Sequence, residues 1–222
     1  MKIELIKTED GSSSLAIPEW NEQYHSTHGA VQESMHVFIE AGLKQMKPKT
    51  EIKIFEMGLG TGLNCILTYL QTKKLKIFYN SIERYPLSEE LFSKLNYAEH
   101  LKLSAKDSGI FSEIHSCKWN INAELTPDFI LKKEKTDLNS FTTDALFDLV
   151  YFDAFSPNVQ PELWTERIFK KMYSIMEDEG ILTTYCAKGA VRRAILSAGF
   201  KVERLPGPPG KREILRAIKA SK

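Results

Sequence analysis

A run of glycines after an apolar strand constrains the fold of this chain more than any other feature. Residues 52–57 form an apolar, strand-like run that leads into Gly58, Gly60 and Gly62, and residues 63–72 show helical periodicity. Glycines at such a junction let the backbone turn sharply and approach a ligand with no Cβ in the way. The start of the next helix offers free N–H groups to a polar ligand. The motif therefore predicts a ligand site at the carboxyl end of a buried strand.

The rest of the chain alternates between predicted strands and predicted helices. Strands are expected at 3–7, 52–57, 76–83, within 111–122, and at 129–131, 147–153, 181–185, 200–205 and 213–218. Helices are expected at 30–46, 63–72, 87–95, 163–176 and 189–198, with turns at 11–14 and 179–180. This order indicates a Rossmann-like α/β fold, in which a mostly parallel sheet has helices on both faces. The loop at 206–210 is too short for a crossover helix, so an antiparallel hairpin is expected at one edge.

Size and charge narrow the functional classes. The 222 residues, of which 42% are hydrophobic, suit a single domain over 1–222, with residues 1–50 as an N-terminal extension on the substrate side. The net charge of +1, from 30 basic and 29 acidic residues, excludes a uniformly basic coat. Contact with a nucleic acid would therefore need a local basic patch.

Cysteine usage and hydropathy point to a reduced, soluble protein. Cys65, Cys117 and Cys186 lie far apart without metal-binding spacing, so neither a disulfide framework nor a metal site is expected. His25, His28 and His36 lack the pattern of a metal site as well. Because no segment has the length of a membrane span or signal peptide, a cytoplasmic location is expected.

The spacing of acids and glycines distinguishes between cofactors. A dinucleotide fingerprint would need a small residue at position 63, where this chain has Leu63. The pattern from Glu56 to Gly62 is acid-x-G-x-G-x-G, which resembles the first motif of class I methyltransferases and predicts S-adenosylmethionine. Glu83 ends the next strand, about 20 residues later, where its carboxylate could accept hydrogen bonds from ribose hydroxyls. A nicotinamide cofactor and a glycine turn without a ligand are the alternatives.

A second motif follows the most apolar strand. Asp153 stands at the carboxyl end of this strand, where ligands of open α/β sheets bind. A polar residue there has reason to be functional, because burial without a partner is costly. Asp153 could also simply cap the following turn.

These motifs together resemble those of the tRNA (5-methylaminomethyl-2-thiouridine) methyltransferase family. The matching segments run through most of the chain: Tyr24-His25-Ser26, Glu33-Ser34-Met35-His36-Val37-Phe38, the residues at 56–62, Asp153-Ala154-Phe155-Ser156-Pro157, Leu163-Trp164 and Gly210-Lys211-Arg212-Glu213. In many bacteria this domain is the N-terminal half of a bifunctional enzyme with an FAD-dependent oxidase domain. This chain resembles the stand-alone methyltransferase type, so no flavin is expected on it.

The resemblance implies methyl transfer to the exocyclic amine of 5-aminomethyl-(2-thio)uridine at the wobble position of the tRNA anticodon loop. Asp153 is the candidate catalytic residue, either as the base that frees the amine or as a group that orients it. The candidate cofactor-binding residues are Glu56, Gly58, Gly60, Gly62, Glu83, Asp137 and Asp153. Asp137, expected at the adenine, lies in Thr136-Asp137-Leu138 where the family usually has Gly-Asp-Ala. The candidate substrate-binding residues are Tyr24, Ser26, Glu33, Phe155, Pro157, Lys211 and Arg212.

The flipped base and the phosphates of the RNA need partners of their own. Aromatic candidates for stacking are Tyr24, Phe155 and Trp164, each of which could equally be a core residue. Lys188, Arg192, Arg193, Lys211 and Arg212 could form the basic patch, or could be ordinary surface residues. Two other functions stay open: a small-molecule amine methyltransferase or aminopropyltransferase-like enzyme, and a catalytically silent binding protein.

Overall fold

The computed structural model describes residues 2–73 and 75–221. Three residues of the expected domain over 1–222 lie outside the described residues, namely Met1, Lys74 and Lys222. Eight strands form one mixed sheet and three form a small N-terminal sheet. The small sheet is antiparallel and comprises β1 (Glu4–Lys7), β2 (Ser13–Ile17) and β3 (Glu22–Gln23). The large sheet comprises β4 (Glu51–Met57), β5 (Lys76–Glu83), β6 (Asn122–Thr126), β7 (Phe129–Lys135), β8 (Phe147–Phe152), β9 (Met176–Thr184), β10 (Lys201–Pro206) and β11 (Glu213–Ile218).

The order of the large sheet is β10-β11-β9-β8-β4-β5-β7-β6. Strands β9, β8, β4, β5 and β7 are parallel to one another, while β11 runs antiparallel to β9 and β6 runs antiparallel to β7. Strands β10 and β11 form the expected antiparallel hairpin at one edge. The predicted α/β class with a mostly parallel, Rossmann-like sheet is therefore confirmed.

Seven α-helices connect or flank the strands. They are α1 (Ala30–Ser34), α2 (Leu63–Gln71), α3 (Glu89–Phe92), α4 (Tyr97–His100), α5 (Ala105–Ser116), α6 (Glu166–Ser174) and α7 (Gly189–Ser197), among the described residues. Short 3₁₀ turns lie at Pro18–Trp20, Leu43–Gln45 and Pro161–Leu163. Within the described part of the chain, none of the helices combines the length and apolar character that crossing a bilayer requires.

The two faces of the sheet carry two separate apolar clusters. In β8, Leu149 and Tyr151 join a cluster with residues of α2 and α5, while Val150 and Phe152 join a cluster with residues of α6 and α7. This alternation follows from the two-residue period of a strand. All six β8 residues are buried because helices cover both faces.

Several predicted elements differ from the structure. The strand expected within 111–122 is wrong, because residues 105–116 form α5, with Ile110, Phe111 and Ile114 buried at helical spacing. The Ser104 hydroxyl accepts a hydrogen bond from the Asp107 backbone N–H and so begins that helix. Only Glu89–Phe92 of the segment 87–95 is helical as α3.

The first predicted helix and the expected turn at 179–180 also differ in detail. Helix α1 continues as a π-helical segment over Met35–Glu40 and stops before Gly42, instead of running to residue 46. Residues 179–180 lie within β9 as an irregularity, where Glu179 has φ of 63° and the pairing with β8 shifts register.

Candidate active site

The glycine motif forms the loop between β4 and α2, and its backbone requires glycine. Gly58, Gly60 and Gly62 have φ angles of 90°, 50° and 71°, a region that side chains rarely adopt. A Cβ on Gly58 would lie 3.0 Å from the backbone oxygen of Asp153. The loop therefore passes directly against the end of β8 and exposes backbone to the space above the sheet.

A cavity of about 440 Å³ opens at the carboxyl ends of β4, β5 and β8. This is the edge where parallel α/β sheets bind their ligands. The N-terminal segment around residues 21–28 forms the opposite wall. The predicted site residues that line the cavity are Tyr24, Ser26, Glu33, Gly58, Gly60, Glu83, Asp137, Asp153, Phe155 and Lys211.

The four other predicted site residues do not line the cavity. Gly62 begins α2 and packs against His115, and Glu56 is fully buried below the glycine loop. Pro157 and Arg212 are neighbours of lining residues, and Arg212 is exposed.

Glu83 faces the cavity from the end of β5. Its carboxylate accepts hydrogen bonds from the backbone N–H groups of Gly60, at 3.1 Å, and Tyr85, at 2.7 Å. Burial raises the pKa of Glu83, although these backbone donors oppose the shift. The two bonds hold the carboxylate beside the glycine loop.

Asp137 lies at the same end of the cavity and is already engaged. Its Oδ2 accepts from Arg84 Nη1 at 2.9 Å, and its Oδ1 accepts from the backbone and side-chain nitrogens of Asn139 at 2.8 and 2.9 Å. The Arg84 guanidinium also lies 5.1 Å from the centre of the Tyr85 ring. A ligand amine that approached Asp137 would therefore share the carboxylate with Arg84.

Asp153 follows β8 and stands between the glycine loop and the N-terminal segment. Its Oδ2 accepts a hydrogen bond from Asn64 Nδ2 at 2.9 Å. Burial raises its pKa to about 7; the nearby Glu33 adds to the rise, and Asn64 and Lys211 oppose it. The carboxyl group can therefore exchange a proton near neutral pH.

Glu33 and Lys211 form a partly buried ion pair on one side of this cavity. Lys211 Nζ lies 2.5 Å from Glu33 Oε1 and 4.0 Å from the centre of the Tyr185 ring. Glu33 Oε2 accepts from the backbone N–H of Ser26 at 2.6 Å. These contacts join α1, the segment after β9 and the loop between β10 and β11 around one cationic group.

Aromatic side chains link the N-terminal segment to the loop after β8. The Phe155 ring lies edge-on to Tyr24, at 5.1 Å between centroids, and to Trp20, at 5.8 Å. Ser156 Oγ donates to Glu22 Oε1 in the same region. Trp164, by contrast, is only 5% exposed and donates through Nε1 to the Phe155 carbonyl, so it is part of the core.

The remaining basic candidates lie on the surface. Lys188, Arg192, Arg193 and Arg212 are all exposed, and Lys188 Nζ donates to Asn158 Oδ1 at 2.8 Å. Lys188 directly precedes α7, and Arg192 and Arg193 lie in it.

Asn64, Tyr185 and His25 are among the cavity residues that were not predicted as site residues. Asn64 contacts Asp153, Tyr185 packs on Lys211, and His25 bonds through its two ring nitrogens with Ser14 Oγ and Thr61 Oγ1, at 3.1 and 3.4 Å. Their roles depend on contacts between distant segments, although Asn64 directly follows the glycine motif and could have been considered with it. No metal-binding group of His, Cys, Asp and Glu occurs within residues 2–73 and 75–221.

Comparison with known proteins finds methyltransferases among the proteins that are similar to this chain. A family model described as S-adenosyl-L-methionine-dependent methyltransferase matches residues 118–220. The bifunctional protein MnmC for tRNA 5-methylaminomethyl-2-thiouridine biosynthesis from Cupriavidus metallidurans is 27% identical over 212 residues, 89% of this chain and 31% of that protein. The chain spans about a third of the length of the first curated relatives it matches.

Solved structures show the same fold. The crystal structure of MnmC2 from Aquifex aeolicus has a TM-score of 0.79 and 26% identity, covering 99% of this chain and 71% of that one. Spermidine synthase from Thermotoga maritima has a TM-score of 0.59 at 13% identity, covering 99% of this chain and 69% of that one. At that identity the second likeness concerns the fold alone.

Proposed function

We propose that this chain belongs to the family of methyltransferase domains found in MnmC proteins, which it resembles in sequence and fold, and that it methylates the exocyclic amine of 5-aminomethyl-(2-thio)uridine at the tRNA wobble position. The methyl donor is S-adenosylmethionine and the product is 5-methylaminomethyl-(2-thio)uridine. The observation that carries this proposal is the Asp153 carboxyl, which shares the cavity with the glycine loop and has a pKa raised to about 7. A base with this pKa suits the removal of a proton from an alkylammonium ion at neutral pH.

The residues around the glycine loop fit S-adenosylmethionine. The left-handed glycines keep the backbone of this loop free of side chains at the cavity wall, and the Glu83 carboxylate beside them has the acceptor chemistry for ribose hydroxyls. In this proposal Gly58 and Gly60 line the methionine end and Asp137, with Arg84, faces the adenine. Glu56 and Gly62 do not line the cavity. In this proposal they therefore support the glycine loop and do not contact the cofactor. When bound, the cofactor supplies an electrophilic methyl group on a sulfonium sulfur.

Asp153 would prepare the nucleophile. An alkylamine is mostly protonated at pH 7 and cannot attack until that proton leaves. The ionised Asp153 accepts the proton, and its carbonyl oxygen then accepts a hydrogen bond from a remaining N–H of the amine, which leaves the nitrogen lone pair free and aligned for in-line displacement. Glu33 would favour the approach of the incoming ammonium ion, because it adds negative charge beside Asp153.

Tyr24 and Phe155 would receive the base that carries the amine. Both rings line the cavity opposite the glycine loop, and a single-stranded anticodon loop allows a base to be splayed out of its stack. Ser26 and Pro157 flank these rings in this proposal. The segment 1–50 thus acts as an extension on the substrate side of one domain.

The phosphates of the anticodon stem and loop would meet the basic residues outside the cavity. Lys188, Arg192, Arg193 and Arg212 are exposed and could supply this patch without a strongly basic net charge. Lys211 lies deeper, in its ion pair with Glu33, and would contact the substrate nucleotide itself. Since tRNA is the proposed partner, a cytoplasmic location is part of the proposal.

Methyl transfer from labelled S-adenosylmethionine to bulk tRNA from cells lacking this protein, followed by nucleoside analysis, tests the proposal. We expect label in 5-methylaminomethyl-uridine derivatives with the wild-type chain and at least a hundredfold less with Asp153→Asn. Cofactor binding without any label in tRNA would contradict the substrate assignment. Labelling of a small amine in place of tRNA would then favour the small-molecule alternative.

A further inference from the structure

Asn64 is a cavity residue for which the proposed function has assigned no role. It is the second residue of α2, only 4% exposed, and lies at the cavity wall directly beyond the glycine loop. A buried amide side chain needs several hydrogen-bond partners, since it offers two donors and an acceptor. An amide at this position therefore requires an explanation.

Its contacts connect the two carboxyl groups below and beside the cavity. Asn64 Nδ2 donates to Asp153 Oδ2 at 2.9 Å, and the same side chain interacts with the buried carboxyl group of Glu56 on β4. Glu56 Oε2 in turn accepts from Ser81 Oγ at 2.8 Å on β5. Asn64 Oδ1 and Glu56 Oε1 are buried and have no hydrogen-bond partner among the described residues.

We propose that Asn64 is a positioning residue for the transfer: its amide holds the Asp153 carboxylate in the orientation that accepts the proton of the amine and stabilises its ionised form. This inference rests on the proposed function for the identity of the amine. The hydrogen bond comes from a rigid helix, whereas Asp153 lies in a loop immediately after β8. A donor on a helix fixes a side chain more firmly than a mobile loop residue or water could.

The charged groups around Asp153 set the direction of the expected effect. Glu33 on α1 and Lys211 on the loop before β11 face it from two sides, Tyr185 lies at the end of β9, and Glu56 lies on β4. Burial raises the pKa of Glu56 to about 8, with the nearby Asp153 adding to the rise, so Glu56 is mostly protonated at pH 7. Asp153 has the lower pKa of the two and is therefore the first of this carboxyl pair to ionise, and Asn64 donates a hydrogen bond to it.

Removing this donor should raise the pKa of Asp153, because a hydrogen bond to the charged form favours that form. The Asn64→Leu substitution keeps the approximate size of the side chain, and we expect it to raise the pKa of Asp153 by about one pH unit. The shift can be measured by ¹³C NMR titration of protein labelled at aspartate carboxyl carbons, with Asp153→Asn identifying the resonance. The acidic limb of the kcat–pH profile should move by the same amount, with Kd for S-adenosylmethionine changed less than about twofold.

Thr68→Val is the matched control on the same helix. Thr68 is buried one turn further along α2 and bonds with Tyr151 Oη and the Asn64 carbonyl, so its loss removes a buried polar group without touching Asp153. This variant should leave the Asp153 titration unchanged. If the Asn64→Leu variant does not fold, the same Asp153 titration is measured on Asn64→Ser, which is a smaller change.

An unshifted Asp153 titration in a folded Asn64 variant would overturn the inference. So would a kcat loss accompanied by a proportional loss of cofactor affinity, since that would indicate general damage to the site. The NMR titration needs no substrate and is therefore independent of the tRNA assignment. A shifted titration in a chain that methylates no tRNA would contradict the proposed function and leave the role of Asn64 at Asp153 intact.

Discussion

At the scale of single residues, the site depends on one carboxyl group whose environment is tuned from several elements. Asp153 receives a donor from α2, negative charge from α1 and positive charge from the loop before β11. Burial outweighs the favourable contacts and brings its pKa to about 7. None of these partners is close to Asp153 in the sequence, so its proton affinity is a property of the folded chain.

Replacement of the carboxylate tests whether Asp153 takes the proton. Asp153→Asn keeps the size of the side chain and removes the base, so kcat should fall about a hundredfold or more. The Kd for S-adenosylmethionine, measured by calorimetry, should change less than about threefold, because the glycine loop and Glu83 remain. Turnover near that of the wild type would contradict the assignment.

The pH dependence of the reaction follows from the same group. Asp153 accepts a proton only when it is ionised, so activity should fall as the pH drops through about 7. Single-turnover rates between pH 5.5 and 8.5, spaced about half a unit apart, would locate this limb. A rate that stays constant from pH 8 down to about 5 would be at odds with a base of raised pKa.

At the scale of elements, the loop between β4 and α2 allows the ends of β4 and β8 to lie close together beside the cavity. Gly58 combines a φ of 90° with a Cβ position 3.0 Å from the Asp153 carbonyl oxygen. An added methyl group would therefore strain the loop and push apart the two strand ends that form the site.

Gly58→Ala should lower stability by about 1–3 kcal/mol and reduce affinity for S-adenosylmethionine at least tenfold. Thermal unfolding and calorimetric titration would report the two effects. Gly109→Ala is the matched control, because Gly109 is exposed within α5 and a Cβ there meets nothing within 4 Å. This control should raise stability by up to about 1 kcal/mol without changing cofactor affinity.

At the scale of the whole molecule, two histidines tie the N-terminal segment and α5 to the glycine loop. His25 contacts Thr61 Oγ1 and His115 contacts the Thr61 carbonyl, at 3.4 and 3.1 Å. Burial lowers the pKa of each histidine to about 4. Both groups are therefore neutral in the folded chain at pH values where they would be charged in the unfolded chain.

The two histidines should consequently contribute stability that is lost on acidification between about pH 6.5 and 4. In this window the unfolded state binds more protons at His25 and His115, so their contribution to the free energy of unfolding rises with pH, while the raised pKa values of Asp153 and Glu56 act in the opposite direction. Urea unfolding at several pH values measures the slope of the free energy of unfolding against pH. The double variant His25→Gln/His115→Gln should have a lower slope than the wild type in this window, and equal slopes would contradict the prediction.

The proposed binding of tRNA would also be a property of the whole surface. Arg192→Ala/Arg193→Ala should weaken tRNA binding and reduce the slope of log K against log salt by up to about 2, one for each phosphate contact. Lys106→Ala/Lys118→Ala, which removes equal charge from the first turn of α5 and from the segment just after it, is the control and should change the slope much less. Equal effects of the two pairs would argue against a patch at α7.

The sequence by itself determined the parts of this protein that depend on local spacing. Alternating apolar strands and helices indicated the Rossmann-like sheet, the short 206–210 loop indicated the edge hairpin, and Gly58, Gly60 and Gly62 indicated the loop after β4. These features follow from backbone sterics and side-chain periodicity, which act over a few neighbouring residues. Where the periodicity was weak, as in α5, the prediction was wrong.

Only the tertiary structure decided what surrounds each functional group. It buried Glu56 beneath the glycine loop, engaged Asp137 with Arg84, paired Glu33 with Lys211 and set Asn64 beside Asp153. The pairs Arg84–Asp137 and Glu33–Lys211 join residues that are 53 and 178 positions apart in the sequence. Only the contact between Asn64 and Glu56, across the glycine loop, joins residues that are close in the sequence. Burial and charge, which control pKa, depend on distances in space, and these exist only once the strands have brought distant segments to the same edge of the sheet.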